Sequence, residues 1–276
     1  MAYFTNSNKT EKLQIAYEDL GTGQSVVFIA GWPLTHQMWE YQMTPLREKG
    51  FRCIAYDRRG FGKSDQSLSS YDYDELASDL NDLMNHLDLK NAVLVGFSMG
   101  GGEVIRYLSM YGSSRVSKIV LISAVVPHLL QAPDNPNRVP QEQFGEFETA
   151  IRTDRPNFIN TFGKQFYGVN LISHPVSQGI LDWTASLALT SSQKAMINCM
   201  EAFAQTDFKN ELFAIDVPAL IIHGDKDETV PMEATGQIAA SLIPGAIFKI
   251  YEGAPHGLFI TEKEQLNNDL VTFLEH

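Results

Sequence analysis

The chain has 276 residues, of which 44% are hydrophobic and 20% charged. That composition is ordinary for a globular protein and excludes disordered and collagen-like chains; the length suits one large α/β unit. With 21 Lys and Arg against 33 Asp and Glu, the net charge is −12, which argues against nucleic acid and anionic membranes as partners, since both call for a basic surface.

Cys53 and Cys199 each lie in an apolar stretch at unrelated spacing. They read as buried free thiols, not as a disulfide or zinc ligands. The N-terminal stretch has neither the basic start nor the apolar core of a signal peptide. No apolar run approaches the roughly 20 residues that span a bilayer. The expectation is a soluble, cytoplasmic protein.

In chain order, Leu13–Tyr17 alternates as a strand, and Asp19–Gly23 reads as a turn. Val26–Ala30 is a continuous apolar run, as expected of a strand covered on both faces. His36–Lys49 has helical period and stops at Gly50, with Pro45 expected to kink or split it. Phe51–Tyr56 is the next strand. Tyr73–Leu89 reads as a helix, with Leu76, Leu80, Leu83 and Leu87 on one face. Ala92–Phe97 is a strand, Met99–Tyr111 a helix and Lys118–Ser123 a strand. This alternation implies a parallel sheet with helices on both faces.

The alternation stops at about Val126. A proline-rich stretch, Pro127–Pro140, leads into helical segments carrying Phe144, Phe147, Phe158, Phe162, Phe166 and Phe203. Strands resume at Val217–Ile222, followed by a helix near Glu233–Leu242, a strand at Ala246–Tyr251 and a last helix at Thr261–Leu274. The reading is an α/β core over residues 1–125 and 213–276, interrupted by a helical cap over 126–212.

The strongest chemical signal is Gly96-Phe97-Ser98-Met99-Gly100, a G-x-S-x-G pattern between a strand and a helix. A nucleophilic hydroxyl has to project from a tight strand-to-helix turn, and the flanking glycines leave room for it. Such a serine needs a base, and the base needs an orienting carboxylate. His256, in a loop after the last strand, is the candidate base. The acid lies in His223-Gly224-Asp225-Lys226-Asp227, where spacing alone leaves Asp225 and Asp227 in competition; His223 itself reads as structural. A metal site on His223, Asp225 and Asp227 has no further His/Cys cluster to support it. One donor to a tetrahedral oxyanion is expected from the backbone N–H of Met99, the other from the loop Gly31-Trp32-Pro33-Leu34, where Pro33 has no N–H to give.

These segments, together with Asp57-Arg-Arg-Gly-Phe-Gly-Lys-Ser-Asp65, Phe166–Asn170 and Ala202–Phe208, resemble the α/β-hydrolases, and within them the bacterial aryl esterases also called cofactor-free haloperoxidases or perhydrolases. The resemblance runs over nearly the whole chain. It implies an α/β-hydrolase fold and assigns the acid to Asp227 and the oxyanion donors to Trp32 and Met99. It implies small ester substrates, hydrogen peroxide as a second acyl acceptor, no metal or cofactor, and assembly into homo-oligomers. Where the family usually has a histidine before the oxyanion glycine, this chain has Ala30. Proline at position 33 is associated in the family with use of peroxide. Pro33, Phe147, Phe162, Phe166 and Phe203 are the expected pocket residues. Two other readings use the same residues: a ligand receptor, and a hydrolase of amides, lactones or carbon–carbon bonds.

Overall fold

Eight strands make up the sheet in the computed structural model, which describes residues 1–7, 11–133 and 135–276. They are β1 (Ala2–Thr5), β2 (Gln14–Leu20), β3 (Ser25–Ile29), β4 (Arg52–Tyr56), β5 (Ala92–Phe97), β6 (Val116–Ile122), β7 (Ala219–Gly224) and β8 (Ile247–Tyr251), in the spatial order β1-β2-β4-β3-β5-β6-β7-β8. β1 and β2 pair antiparallel, as do β2 and β4; every later pairing is parallel. β3, β5 and β7 are buried at every position, the mark of strands covered on both faces.

The helices of the first half are α1 (Glu40–Glu48), α2 (Tyr73–His86) and α3 (Met99–Tyr111). Between β6 and β7 lie α4 (Gln141–Phe166), α5 (Gln178–Leu189), α6 (Gln193–Gln205) and the single turn α7 (Lys209–Leu212). α8 (Gly236–Leu242), α9 (Leu258–Thr261) and α10 (Lys263–Glu275) complete the chain. The strand order turns back at β3, with β4 on one side and β5 on the other. That switch point opens a crevice beyond the carboxyl ends of β3 and β5, where α/β sheets place their ligands.

Several elements depart from the sequence reading. The strand expected at Leu13–Tyr17 runs on to Leu20, through part of the expected turn, because Asp19 forms a two-pronged ion pair with Arg52 on β4 (2.8 and 2.6 Å). Pro45 lies inside a continuous α1; the break falls earlier, after a 3₁₀ turn at His36–Trp39. Proline leaves the carbonyl four residues back without its helical donor, and that carbonyl, Tyr41 O, accepts instead from Asn267 Nδ2 of α10 (2.9 Å). α4 changes direction at Asp154 (φ −151°, ψ 78°). There the Asp154 carboxylate accepts from Asn157 N (3.1 Å), as an N-cap does, with Pro156 in the first turn of the new segment. The helix expected near Glu233–Leu242 is divided at Thr235 (φ −133°, ψ −87°); Gly236 beyond it lies against the buried His223 ring, where a Cβ would stand 2.4 Å from Nδ1. The last helix starts at Lys263, two residues after its expected start at Thr261, and a single turn, Leu258–Thr261, precedes it. β1 carries one buried apolar residue, Phe4, and the sequence offered no alternation to mark it. Among the described residues no helix is long and apolar enough to cross a membrane.

Candidate active site

The carboxyl ends of β3, β5, β7 and β8 all open onto one crevice. Ser98 follows β5 directly and precedes α3, at φ 53° and ψ −118°. This turn is tight enough to exclude side chains: a Cβ at Gly96 would stand 2.5 Å from Gly100 O, and one at Gly100 2.5 Å from Ile29 O. The hydroxyl-bearing residue is fixed by its backbone, with Ser98 N donating to Ile122 O (2.9 Å) and Ser98 O accepting from Gly101 N (3.0 Å).

His256 lies in the loop between β8 and α9. Its Nε2 is 3.0 Å from Ser98 Oγ and accepts a hydrogen bond from that hydroxyl, while Nδ1 donates to Asp227 Oδ2 (2.7 Å). The imidazole is clamped in place. Phe97 packs against one side (4.9 Å between ring centres), Phe166 meets it edge-on (4.9 Å), and Gly257 N donates to Phe166 O (2.8 Å). All three polar side chains are nearly withdrawn from water.

Asp227 sits in the loop after β7. Its Oδ1 accepts from Thr229 N (3.0 Å) and Val230 N (2.7 Å), and its Oδ2 faces both His256 and His223. Burial pushes the carboxyl up, but the charge of His256 and hydrogen bonds from both imidazoles outweigh it and hold the group well below the usual carboxylate range. Asp225, its rival in the sequence, is turned away and accepts from Gly253 N (2.7 Å). His223 Nε2 donates to Val230 O (2.8 Å) and lies 3.3 Å from Asp227 Oδ2, so this histidine backs the carboxylate.

The loop after β3 runs beside Ser98. A Cβ at Gly31 would stand 2.5 Å from the Phe97 ring and 3.1 Å from Ser98 Cβ, so only glycine permits that approach. Trp32 follows, joined to Pro33 by a cis peptide bond. Its indole Nε1 donates to Met196 O of α6 (2.9 Å), and its ring meets Phe162 and Phe203 edge-on. Met99 is the first residue of α3, so its N–H is one of the amides that a helix leaves without an internal acceptor.

Ser98 and His256 open onto a cavity of about 30 Å³ walled by Trp32, Val125, Leu129, Val139, Phe144, Phe147, Phe162, Phe203 and Val230, with Gln143, Gln165 and Thr229 as its other polar contributors. Of the expected pocket residues, Phe147, Phe162 and Phe203 stand in this wall. Pro33 and Phe166 do not: Pro33 is buried in the turn after Trp32, and Phe166 supports His256 from outside. Phe144, Leu129 and Val139 were not singled out. The three-residue spacing of Phe144 and Phe147 on one helix was the signal available for Phe144; the other two come from the proline-rich stretch, which has no period. The Thr229 hydroxyl is buried without a hydrogen-bond partner.

The α/β hydrolase fold model matches residues 24–263. The chain is 40% identical over 264 residues to a non-heme chloroperoxidase of Kitasatospora aureofaciens, covering 95% of this chain and 96% of that one. It is 37% identical over 278 residues to a bifunctional esterase/perhydrolase of Acinetobacter calcoaceticus, covering 99% of each. The crystal structure of a bromoperoxidase from Bacillus anthracis superposes with a TM-score of 0.95 at 40% identity, over 100% of both chains. The chain belongs to the α/β-hydrolase family. The motif resemblance and the expected fold class are thereby borne out. In this hydrolase Ser98, His256 and Asp227 come from strand ends, with Ser98 and His256 158 residues apart and Asp227 and His256 29 residues apart, and the sheet's parallel order gathers them.

Proposed function

We propose that this hydrolase is a serine carboxylesterase for small acyl or aryl esters, with hydrogen peroxide as an alternative acyl acceptor. The observation that carries the reading is the continuous hydrogen-bonded line from Asp227 through His256 to Ser98, whose end opens onto an apolar cavity. His256 takes the Ser98 proton as Oγ attacks the ester carbonyl. Asp227 holds the imidazole tautomer and stabilises the imidazolium. The backbone N–H groups of Trp32 and Met99 receive the oxyanion. His256 protonates the departing alcohol, then activates water, and the acid leaves with Ser98 restored. With hydrogen peroxide in place of water, the same step releases a peracid. Residues 126–212 act as the cap over residues 1–125 and 213–276.

The cavity is small, about 30 Å³, and walled by phenylalanines, which favours a small acyl or aryl group. The named activities of the chloroperoxidase and the esterase/perhydrolase relatives agree with both reactions.

Steady-state hydrolysis of p-nitrophenyl acetate by wild type and Ser98→Ala tests the reading. Multiple turnover that falls by about 10³-fold or more in the variant is expected. Full turnover in Ser98→Ala, or none in the wild type, sinks it. Adding acetate, hydrogen peroxide and bromide then reads peracid formation as bromide oxidation.

A further inference from the structure

The motif Asp57-Arg58-Arg59 brings a fully buried charge close to the site, and the chemistry above makes no use of it. Arg58 and Glu103 are 3% and 0% exposed and form an ion pair. Arg58 Nε donates to Glu103 Oε1 (2.5 Å), and Tyr56 Oη donates to Glu103 Oε2 (2.7 Å). The second arm of the guanidinium, Nη2, also donates to Ala30 O (2.7 Å). Burying such a pair costs desolvation that its attraction often fails to recover, so stability alone is a poor reason to keep it.

Its position supplies another reason. Ala30 immediately precedes Gly31 and Trp32, and Glu103 lies four residues after Met99 on α3, one helical turn away. One planar guanidinium therefore grips both segments that present the oxyanion donors. The same two segments touch through backbone, since a Cβ at Gly100 would meet Ile29 O at 2.5 Å and Ala30 O at 2.9 Å. From the Met99 side, Tyr73 Oη donates to Met99 O (3.1 Å). Ala30 has no polar side chain by which the loop could be fixed; its carbonyl is the handle.

We propose that Arg58, held by Glu103 and Tyr56, is a positioning residue that sets the gap between the Trp32 and Met99 amides. The inference rests on the oxyanion reading above. Two donors must lie about 2.7–3.1 Å from one developing oxygen, and a site of this kind tolerates errors of only about 0.5 Å. A fork is needed to hold two acceptors at once; a lysine keeps the charge but presents a single point.

The test compares wild type, Arg58→Lys and the double variant Arg58→Met/Glu103→Met, which leaves no unpaired charge. Melting temperature, kcat and KM for p-nitrophenyl acetate, and the rate at which a fluorophosphonate labels Ser98 are measured on each. Arg58→Lys is expected to melt near the wild-type temperature, yet lose about tenfold or more in kcat with KM little changed, the ceiling being the 10²–10³-fold that loss of a whole donor costs. The labelling rate falls with it, because phosphonylation develops charge on the same oxygen. Wild-type rates in a folded Arg58→Lys and a folded double variant overturn the inference. So does a rise in KM with kcat retained, or a loss that only follows melting temperature. A wild type that is labelled but turns over no ester removes the esterase reading alone, and the labelling rates still decide the strut. A wild type that does neither removes both.

Discussion

Ser98 occupies a region of backbone space that L residues rarely enter, at φ 53°. Such conformations cost of order 1–3 kcal/mol and are held here by the close approach of Gly96 and Gly100. Glycine adopts the same angles freely. Ser98→Gly is therefore expected to melt about 2 °C above Ser98→Ala, both lacking the hydroxyl, as measured by thermal denaturation; the reverse order would mean that the turn stores no strain. The G-x-S-x-G spacing made this residue legible. The candidate acid was less so, because two aspartates share one short loop. Asp225 spends its carboxylate on Gly253 N and Asp227 reaches His256, a difference that depends on where β8 and its loop lie. His223 was read as structural; its contact with Asp227 depends on the loop curling back over β7.

At the scale of elements, β5 and α3 follow the sequence reading residue for residue, since a fully apolar strand and a glycine-rich helix start are both strong local signals. The close packing of α3 against β3 depends on Gly100. Gly100→Ala would drive a Cβ into two backbone carbonyls, Ile29 O and Ala30 O, neither of which can swing aside as a side chain would. The expected loss is about 1–3 kcal/mol in urea denaturation, with a fall in kcat, because Met99 moves with the helix. Gly145→Ala is the control: nothing stands within 4 Å of its added Cβ, so it should leave stability unchanged or raise it. Equal effects of the two would refute the argument. Local signals failed where distant partners intervene. Pro45 sits inside α1 because α10 supplies a donor to the freed Tyr41 carbonyl, and β1 exists because β2 offers it an edge.

On the scale of the whole molecule, the helices between β6 and β7 close over the crevice and are tied to it. Trp32 binds Met196 of α6 and packs on the phenylalanines of α4, so the loop beside Ser98 is built from both parts of the chain. Asp227 is itself removed from water, and its charge depends on His256 and His223. Its carboxyl in the folded protein lies below the value near 3.9 of an unfolded aspartate. The stability it contributes is accordingly complete above about pH 4 and is lost as pH falls toward the folded value. Melting temperature between pH 5 and 2.5 should fall more steeply for the wild type than for Asp227→Asn; equal slopes would show that the carboxylate is not held ionised by these partners. Burial also pushes the Cys199 thiol up to about 12, in keeping with the buried free thiol that its apolar context implied.

By itself the sequence determined the alternation of strands and helices, the place of Ser98 in a strand-to-helix turn, the candidate base and the family, because each is written in local pattern or in short motifs. Only the tertiary structure decided which phenylalanines wall the cavity and which support His256. It alone brought His223 behind Asp227, and it alone placed Arg58 between Ala30 and Glu103. Periodicity records which face of a helix is buried. It carries no information about which neighbour, tens of residues away, that face will meet.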